Sequence, residues 1–193
     1  MAGMSAAYCL AAPGHPLHGP YHDTEYGFPS NDEAVLFERL CLEINQAGLS
    51  WLTVLQKRPS FRAAFAGFEV DRVAAFDDAD VARLLGDAGI VRNRQKIAAV
   101  IANAQTIQGL RRTHGSFACW LAAHHPLPLD EWTRLFRRTF RFTGGLIVHE
   151  FLMSLGYLPG AHVPDCPIYS RVLPLAPPWS RVASAMPSGS LRA

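Results

Sequence analysis

The sequence predicts an all-α fold, and three observations support this prediction. Apolar residues recur at the helical spacing of three and four, and no stretch alternates apolar and polar residues over the length of a strand. Glycines and prolines interrupt the chain at intervals that suit separate helices. Hydrophobic residues make up 49% of the 193 residues, enough for the core of one domain or two small lobes. A folded helical protein is therefore expected, and a disordered chain is excluded.

The helices are predicted in order from their capping residues and breakers. Ser30 followed by Glu33 is a capping-box pattern that predicts a helix running to about Ala47, where Gly48 ends it. Ser50 opens a shorter helix that stops before Pro59, and another short helix follows it. Further helices are predicted near 71–76, 78–86, 94–108, 116–124, 130–139 and 146–155.

The domain organisation is predicted from a change in composition near the end of the chain. Residues 1–170 are expected to form a single helical domain, with a helix-hairpin-helix near 78–108. Residues 171–193 contain four prolines and no acid, so an irregular or disordered tail is predicted. The alternative is that Trp179 and Val182 dock this segment on the body of the protein.

Composition also bears on the compartment. No apolar stretch approaches the roughly 18 to 20 residues that cross a bilayer, and the first residues lack the basic and apolar regions of a secretory signal. Four cysteines are few for a disulfide scaffold of this size. We expect thiols, in a cytoplasmic protein without a membrane segment.

Charge is distributed unevenly along the chain. Residues 1–87 hold 12 acids and 6 bases, a net charge of −6, whereas residues 88–193 hold 4 acids and 12 bases, a net charge of +8. Residues 88–129 contain no acid at all. This pattern suggests an anionic partner such as a phosphate backbone, although a solvated basic face is the alternative on charge alone.

One glutamate falls on an apolar helix face. Positions 36, 40, 43 and 47 share a face and read Leu, Leu, Glu and Ala, so Glu43 points with the core. A buried carboxylate must be paired, protonated or lining a cleft. Eight residues later, Trp51 could stack on a planar cation beside this carboxylate, or could simply belong to the core.

A possible metal site combines residues from both ends of the sequence. Two thiols and two imidazoles are the ligand set of a closed tetrahedral zinc site, and they are present as Cys9, His22, His162 and Cys166. The spacing alone is weak evidence, because 140 residues separate His22 from His162. Isolated buried side chains are the alternative.

The segment from Leu84 to Ile97 predicts a glycine-containing turn between two helices. Backbone N–H groups near Gly89 could bind one phosphate, while Arg92, Arg94 and Lys96 reach adjacent phosphates. This is the pattern of a helix-hairpin-helix that binds DNA. A plain helical hairpin is the alternative.

Three segments together resemble the 3-methyladenine DNA glycosylase I family. They are YHDTEYG at 21–27, CLEINQAGLSW at 41–51 and DAGIVRNRQKI at 87–97, in the order and spacing of that family. The likeness runs from Cys9 to about Cys166. It implies an all-α enzyme of the helix-hairpin-helix glycosylase superfamily that excises 3-methyladenine from alkylated double-stranded DNA and so initiates base excision repair.

The resemblance also implies roles for individual residues. One structural zinc ion is expected on Cys9, His22, His162 and Cys166. Glu43 is expected to be catalytic, with Tyr21, Trp51 and His18 binding the substrate base, and Gly48 and Leu49 filling the gap left by the extruded nucleotide. Since the stretch 91–93 reads VRN and offers no lysine nucleophile, a monofunctional glycosylase without a lyase step is predicted. A monomer is also expected.

The chain departs from the family pattern at three places. Cys9 is followed by Leu10 and Ala11 where the family usually has Gly and Trp, His18 replaces a pocket tyrosine, and residues 149–154 read HEFLMS in place of a YAFMQA-like stretch. A non-catalytic relative that binds distorted DNA is therefore the main alternative. A catalytic zinc hydrolase is disfavoured because four protein ligands close the tetrahedron.

Overall fold

The computed structural model describes the backbone of residues 2–185 and the side chains of residues 6–181. Within these residues all regular structure is helical and no strand occurs, which confirms the all-α prediction. The helices are α1 (Ala2–Ala11), α2 (His18–Thr24), α3 (Glu33–Gln46), α4 (Trp51–Ala64), α5 (Val70–Ala74), α6 (Asp78–Gly86), α7 (Arg94–His114), α8 (Phe117–His124), α9 (Leu129–Thr139), α10 (Gly145–Ser154), α11 (Pro167–Val172) and α12 (Pro178–Ala185). Short 3-10 turns occupy Ala66–Phe68 and Leu173–Leu175. Among the described helices, none is long and apolar enough to cross a membrane.

The chain forms two compact units. The first unit combines the two ends of the chain, Met1–Pro29 and Leu152–Ala193, and the second is Ser30–Phe151. In the first unit a small core contains Cys9, Cys166, Ile168 and Val172. The prediction of one domain over 1–170 stays a prediction.

The second unit is built around α3. Ten consecutive residues of this helix, Leu36 to Asn45, are buried, because α4, α7 and α8 pack against it. Aromatic side chains fill the space around these helices, in one group at Phe37, Phe61, Phe65 and Phe68 and another at Phe117, Trp120, Phe136, Phe140 and Phe151. This buried stretch of α3 carries two acids, Glu38 and Glu43, into the interior.

Two predicted helix boundaries are wrong. Asp32 rather than Ser30 caps α3, since its Oδ1 accepts hydrogen bonds from the N–H groups of Ala34 and Val35 at 2.9 and 3.1 Å. The predicted break before Pro59 does not occur, and α4 is one helix of 14 residues. Pro59 has no N–H group to donate to the helix, so one helical hydrogen bond is lost. The packing of buried residues on both sides of it outweighs this loss; they are Val54, Leu55, Phe61 and Ala64.

The described part of the expected tail is also more ordered than predicted. Residues 178–185 form α12, and the Trp179 ring lies 6.3 Å from that of Tyr169. The Trp179 N–H donates to the carbonyl of Gly156 at 3.1 Å. Trp179 therefore docks on other residues of the first unit, and the chain is helical where an irregular segment was predicted. The Val182 side chain and residues 186–193 lie outside the described residues.

Candidate active site and metal centre

Glu43 lies where its periodicity placed it, inside the second unit. The residue is only 4% exposed. Burial raises the pKa of its carboxyl well above the ordinary value, the nearby charge of Glu150 on α10 raises it further, and Arg39, one helical turn earlier, acts in the opposite direction. The folded protein therefore does not stabilise the ionised form of this carboxyl, and its carboxylate would need a cation as a partner.

The other residues expected around a bound base have distinct surroundings. Trp51 is the first residue of α4 and is half-buried. Its helix begins at Ser50, whose hydroxyl accepts from the Thr53 N–H at 3.2 Å as predicted for a cap. Tyr21 belongs to α2 in the first unit, where it is buried with its ring 5.7 Å from that of Tyr26.

His18 sits in a small cluster of rings in the first unit. Its Nδ1 lies 3.3 Å from the Tyr8 hydroxyl, and its ring lies 4.7 Å from that of His15. Burial lowers the pKa of His18, and the neighbouring His15 lowers it further. Both causes favour the neutral form of the imidazole.

The four predicted metal ligands converge in the first unit. One ligand atom from each of Cys9, His22, His162 and Cys166 lies within 4.8 Å of the others. His162 Nδ1 is 3.8 Å from both sulfur atoms, and His22 Nε2 is 3.7 Å from the Cys166 sulfur. Tetrahedral zinc with ordinary Zn–S and Zn–N bonds has S···N edges of about 3.6 Å. The cluster thus fits a zinc ion closely.

In both histidines the ring nitrogen that does not face the cysteines also has a hydrogen-bond partner. His22 Nδ1 lies 2.7 Å from an Asp23 carboxylate oxygen, and His162 Nε2 lies 2.7 Å from the Tyr26 carbonyl. Such partners fix the ring orientation and leave the inner nitrogen available for a metal. Burial lowers the pKa of His162, which favours the neutral form that binds metals.

Known proteins are similar to this chain over most of its length. The methyladenine glycosylase family profile matches residues 11–131, more than half of the chain. The chain belongs to this family. It is 38% identical over 173 residues to DNA-3-methyladenine glycosylase 1 of Escherichia coli (strain K12), an alignment that covers 80% of this chain and 92% of that protein.

Two further proteins are also similar to this chain. The DNA-3-methyladenine glycosylase of Haemophilus influenzae (strain ATCC 51907 / DSM 11121 / KW20 / Rd) is 34% identical over 166 residues, covering 76% of this chain and 89% of that one. A solved structure of 3-methyladenine DNA glycosylase I from Staphylococcus aureus, described as the structural basis of its 3-methyladenine recognition, has a TM-score of 0.76 at 30% identity. It covers 85% of this chain and 97% of that one.

The loop after α3 presents an exposed leucine. Gly48 adopts a φ of +84°, which favours glycine, and nothing lies within 4 Å of a Cβ placed there. The following Leu49 is 41% exposed. The turn after α3 is therefore tight and has an accessible apolar side chain at its tip, while its predicted role in DNA binding stays a prediction.

Lys96 differs from its predicted role as a phosphate ligand. It is 5% exposed, and its ammonium donates to the carbonyls of Asn45 and Ala47 at 2.9 and 2.7 Å. The lysine thus satisfies the last carbonyls of α3 and braces the Gly48 turn. Its phosphate contact is a wrong prediction, since local sequence does not show which backbone groups a long side chain will reach.

Only some of the residues predicted to bind phosphate at the turn between α6 and α7 are available for it. The Gly89 N–H donates to Asp87 Oδ1 at 2.7 Å, so this amide already has a partner. A Cβ atom built at position 89 would lie 2.9 Å from the Ser60 side chain, so close packing favours glycine there. Arg92 and Arg94 are exposed and remain the candidate phosphate ligands of this turn.

Sequence reasoning missed the loop between α9 and α10. Phe142 is 40% exposed and has a φ of +60°, a backbone conformation that is rare for an aromatic residue. Asn103 holds the preceding residue through two hydrogen bonds with the Arg141 backbone, at 2.7 and 3.1 Å. The Lys96 ammonium lies 6.0 Å from the Phe142 ring. The signal was the concentration of arginines at 134, 137, 138 and 141, just before Gly144 and Gly145.

Proposed function

We propose that this protein is a monofunctional glycosylase that excises 3-methyladenine from alkylated DNA. The observation that carries the proposal is the buried Glu43, present within the region that matches the methyladenine glycosylase family. Both curated relatives described above are named for this activity. The alternative of a non-catalytic DNA-binding relative is not favoured.

The chemistry suits a buried carboxylate. Methylation at N3 makes adenine in DNA positively charged, so the bond to the sugar is already weak and the base leaves readily. Extrusion of the nucleotide costs a few kcal/mol, less for a damaged base. A carboxylate out of water attracts a cation far more strongly than an exposed one does. Glu43 accepts hydrogen bonds from the edge of the base and selects the charged lesion over neutral adenine.

The remaining site residues support binding and orientation. The family resemblance gives Trp51, Tyr21 and His18 the role of binding the base through their aromatic rings. Leu49, on the Gly48 turn, fills the gap in the duplex. Water then attacks the sugar carbon, since the stretch 91–93 offers no lysine for a covalent intermediate.

DNA binding is assigned to the exposed cations of the second unit. Arg94 is the first residue of α7 and Arg92 lies two positions before it, and the arginines at 134, 137, 138 and 141 precede Phe142 along the chain. We place the chain in the helix-hairpin-helix superfamily, acting on double-stranded DNA as a cytoplasmic monomer. Affinity that depends on phosphate contacts falls steeply with salt.

The metal centre has a structural role in this proposal. Two thiolates and two imidazoles would hold one zinc ion and leave no open position for catalysis. Because the four ligands come from both ends of the chain, the ion would hold the terminal segments of the first unit together and contribute to folding.

Release of methylated base tests the activity. Wild type, Glu43→Gln and the control Glu69→Gln, at an exposed residue of the second unit, are incubated with methyl-damaged duplex DNA, and the free bases are separated by chromatography. We expect 3-methyladenine release by wild type and the control, with a rate about 100-fold lower for Glu43→Gln. Damage-independent DNA binding without base release would overturn the proposal.

Metal analysis tests the structural zinc with a matched pair of cysteines. Cys166→Ala removes a ligand, whereas Cys119→Ala changes an exposed cysteine outside the cluster. We expect one zinc per chain in wild type and in Cys119→Ala, and loss of zinc together with a lower melting temperature in Cys166→Ala. Equal zinc content in all three proteins would exclude this site.

A further inference from the structure

Phe142, in the loop between α9 and α10, is an exposed aromatic residue in a strained backbone conformation. Its φ of +60° is rare for a residue with a side chain, and 40% of the residue is exposed. Because its ring is not part of the buried core, packing there does not compensate for the strain. A glycine would adopt the same conformation without strain and would expose no apolar ring to water.

The residues on both sides of Phe142 are fixed by the fold. The side-chain amide of the fully buried Asn103 accepts from the Arg141 N–H at 2.7 Å and donates to the Arg141 carbonyl at 3.1 Å. On the other side Thr143 is buried, and its hydroxyl donates to the Phe140 carbonyl at 3.2 Å. The loop is thus anchored to α7 through Asn103, and the exposed ring has a defined position.

One ammonium group connects the Phe142 ring with the turn after α3. Lys96 Nζ lies 6.0 Å from the ring centroid, within the range of a cation–π contact. The same ammonium donates to the carbonyls of Asn45 and Ala47 at 2.9 and 2.7 Å. Leu49 follows on this turn and is 41% exposed. The second unit therefore presents an exposed leucine and an exposed phenylalanine near one buried lysine.

The charge near these two side chains favours a polyanion as the partner. Arg141 directly precedes the exposed ring, and Arg92 and Arg94 lie just before the buried lysine; all three arginines are exposed. The two stretches that contribute them, 88–129 and 132–149, contain no acid. A nucleic acid combines phosphates for the arginines with flat base faces for an aromatic ring.

We propose that Phe142 stacks on a DNA base that loses a neighbour when the methylated nucleotide leaves the duplex. Extrusion of a nucleotide breaks its stacking on the adjacent bases. An aromatic side chain that covers such a base replaces part of the lost stacking, and a ring fixed before DNA binds loses little conformational entropy. This inference rests on the proposed function, since it takes as partner a duplex from which a base has been extruded.

The test measures binding, by fluorescence anisotropy, to an intact duplex and to a gapped duplex, in which a tetrahydrofuran residue replaces one nucleotide. Phe142→Gly removes the ring and relaxes the backbone, and its melting temperature checks that it folds. Phe142→Leu keeps apolar bulk without a flat ring and is a second test variant. The controls are Phe142→Tyr, which keeps an aromatic ring, and Leu175→Ala, at a residue of the first unit that is 49% exposed.

We expect Phe142→Gly and Phe142→Leu to bind the gapped duplex about tenfold more weakly than wild type, the order expected for loss of one stacked base. Their affinity for the intact duplex, and that of both controls for either duplex, should equal the wild-type value. In Phe142→Gly the slope of log Kd against log salt concentration should be unchanged, whereas Arg141→Gln should reduce it by about one. The slope thus distinguishes a lost ring from a lost phosphate contact.

The outcomes separate this inference from the proposed function. Unchanged binding of the gapped duplex by Phe142→Gly and Phe142→Leu would overturn the stacking contact even if the wild type releases 3-methyladenine. An equal loss on both duplexes would also overturn it, since the ring would then contact DNA without regard to the gap. A wild type that releases no base, with the expected loss on the gapped duplex in both variants, would reject the proposed function and support the contact.

Discussion

Two glutamates of α3, five positions apart, are buried to the same extent and have opposite environments. Glu38 is 3% exposed and Glu43 is 4% exposed. The Glu38 carboxylate accepts four hydrogen bonds, two from Arg58 at 2.9 and 3.1 Å and two from Arg62 at 2.6 and 2.8 Å. Glu43 instead lies near another acid, Glu150, with Arg39 as the opposing charge.

The difference appears in the proton affinity of the two groups. Burial acts to raise the pKa of Glu38, but the hydrogen bonds from Arg62 and Arg58 outweigh burial and leave its pKa below the usual value. At Glu43 burial dominates, and its pKa is raised. One carboxylate is therefore stabilised by the folded protein, whereas the other becomes favourable only when a cation arrives. Burial alone does not identify a functional acid, and its partners must be examined as well.

The largest effect on stability is expected for Glu38→Gln. The substitution leaves two guanidinium groups around a neutral amide, with the Arg58 side chain 12% exposed and that of Arg62 54% exposed. Since Arg62 can turn to water, we expect a loss of about 2 to 4 kcal/mol in the free energy of unfolding. Urea denaturation at pH 7 measures it.

The control for this variant is Glu69→Gln. Glu69 pairs with Arg72 at the surface, where both side chains are 62% exposed. A surface pair contributes little, so a change within about 0.5 kcal/mol is expected. Base release per folded molecule should be unchanged in both proteins. A Glu38→Gln protein as stable as the control would show that the arginine pair does not stabilise the fold.

The sequence distinguishes these two acids only in part. Glu43 was recognised because its position on an apolar face conflicts with its charge, which is a local signal. Glu38 gave no such signal, because its partners lie 20 and 24 residues further on. The expected helix break before Pro59 also separated Arg58 from Arg62, although both lie on α4 about one turn apart. A pairing between two helices depends on tertiary packing.

The other site residues also differ in whether the local sequence or only the folded structure reveals their environment. The four metal ligands were expected because the sequence resembles a family that has a zinc ion at these positions, since two thiols and two imidazoles at this spacing were weak evidence on their own. The hydrogen-bond partners of the Lys96 ammonium and the backbone conformation of Phe142 could not be predicted, because both depend on contacts between helices.

A smaller effect is expected in the pH dependence of stability, where the two glutamates should act with opposite sign. Because the pKa of Glu38 is lower in the folded state than in the unfolded chain, its contribution is present above about pH 4.3 and is lost as the pH falls through the folded pKa. The pKa of Glu43 is raised on folding, so its contribution is present below about pH 4.3 and is lost as the pH rises through the folded pKa. Relative to wild type, Glu38→Gln should therefore lose its disadvantage in acid, whereas Glu43→Gln should gain stability as the pH rises. Urea denaturation of the three proteins between about pH 2 and pH 8 separates the two trends, and parallel curves for both variants would mean that the two carboxyls share one environment.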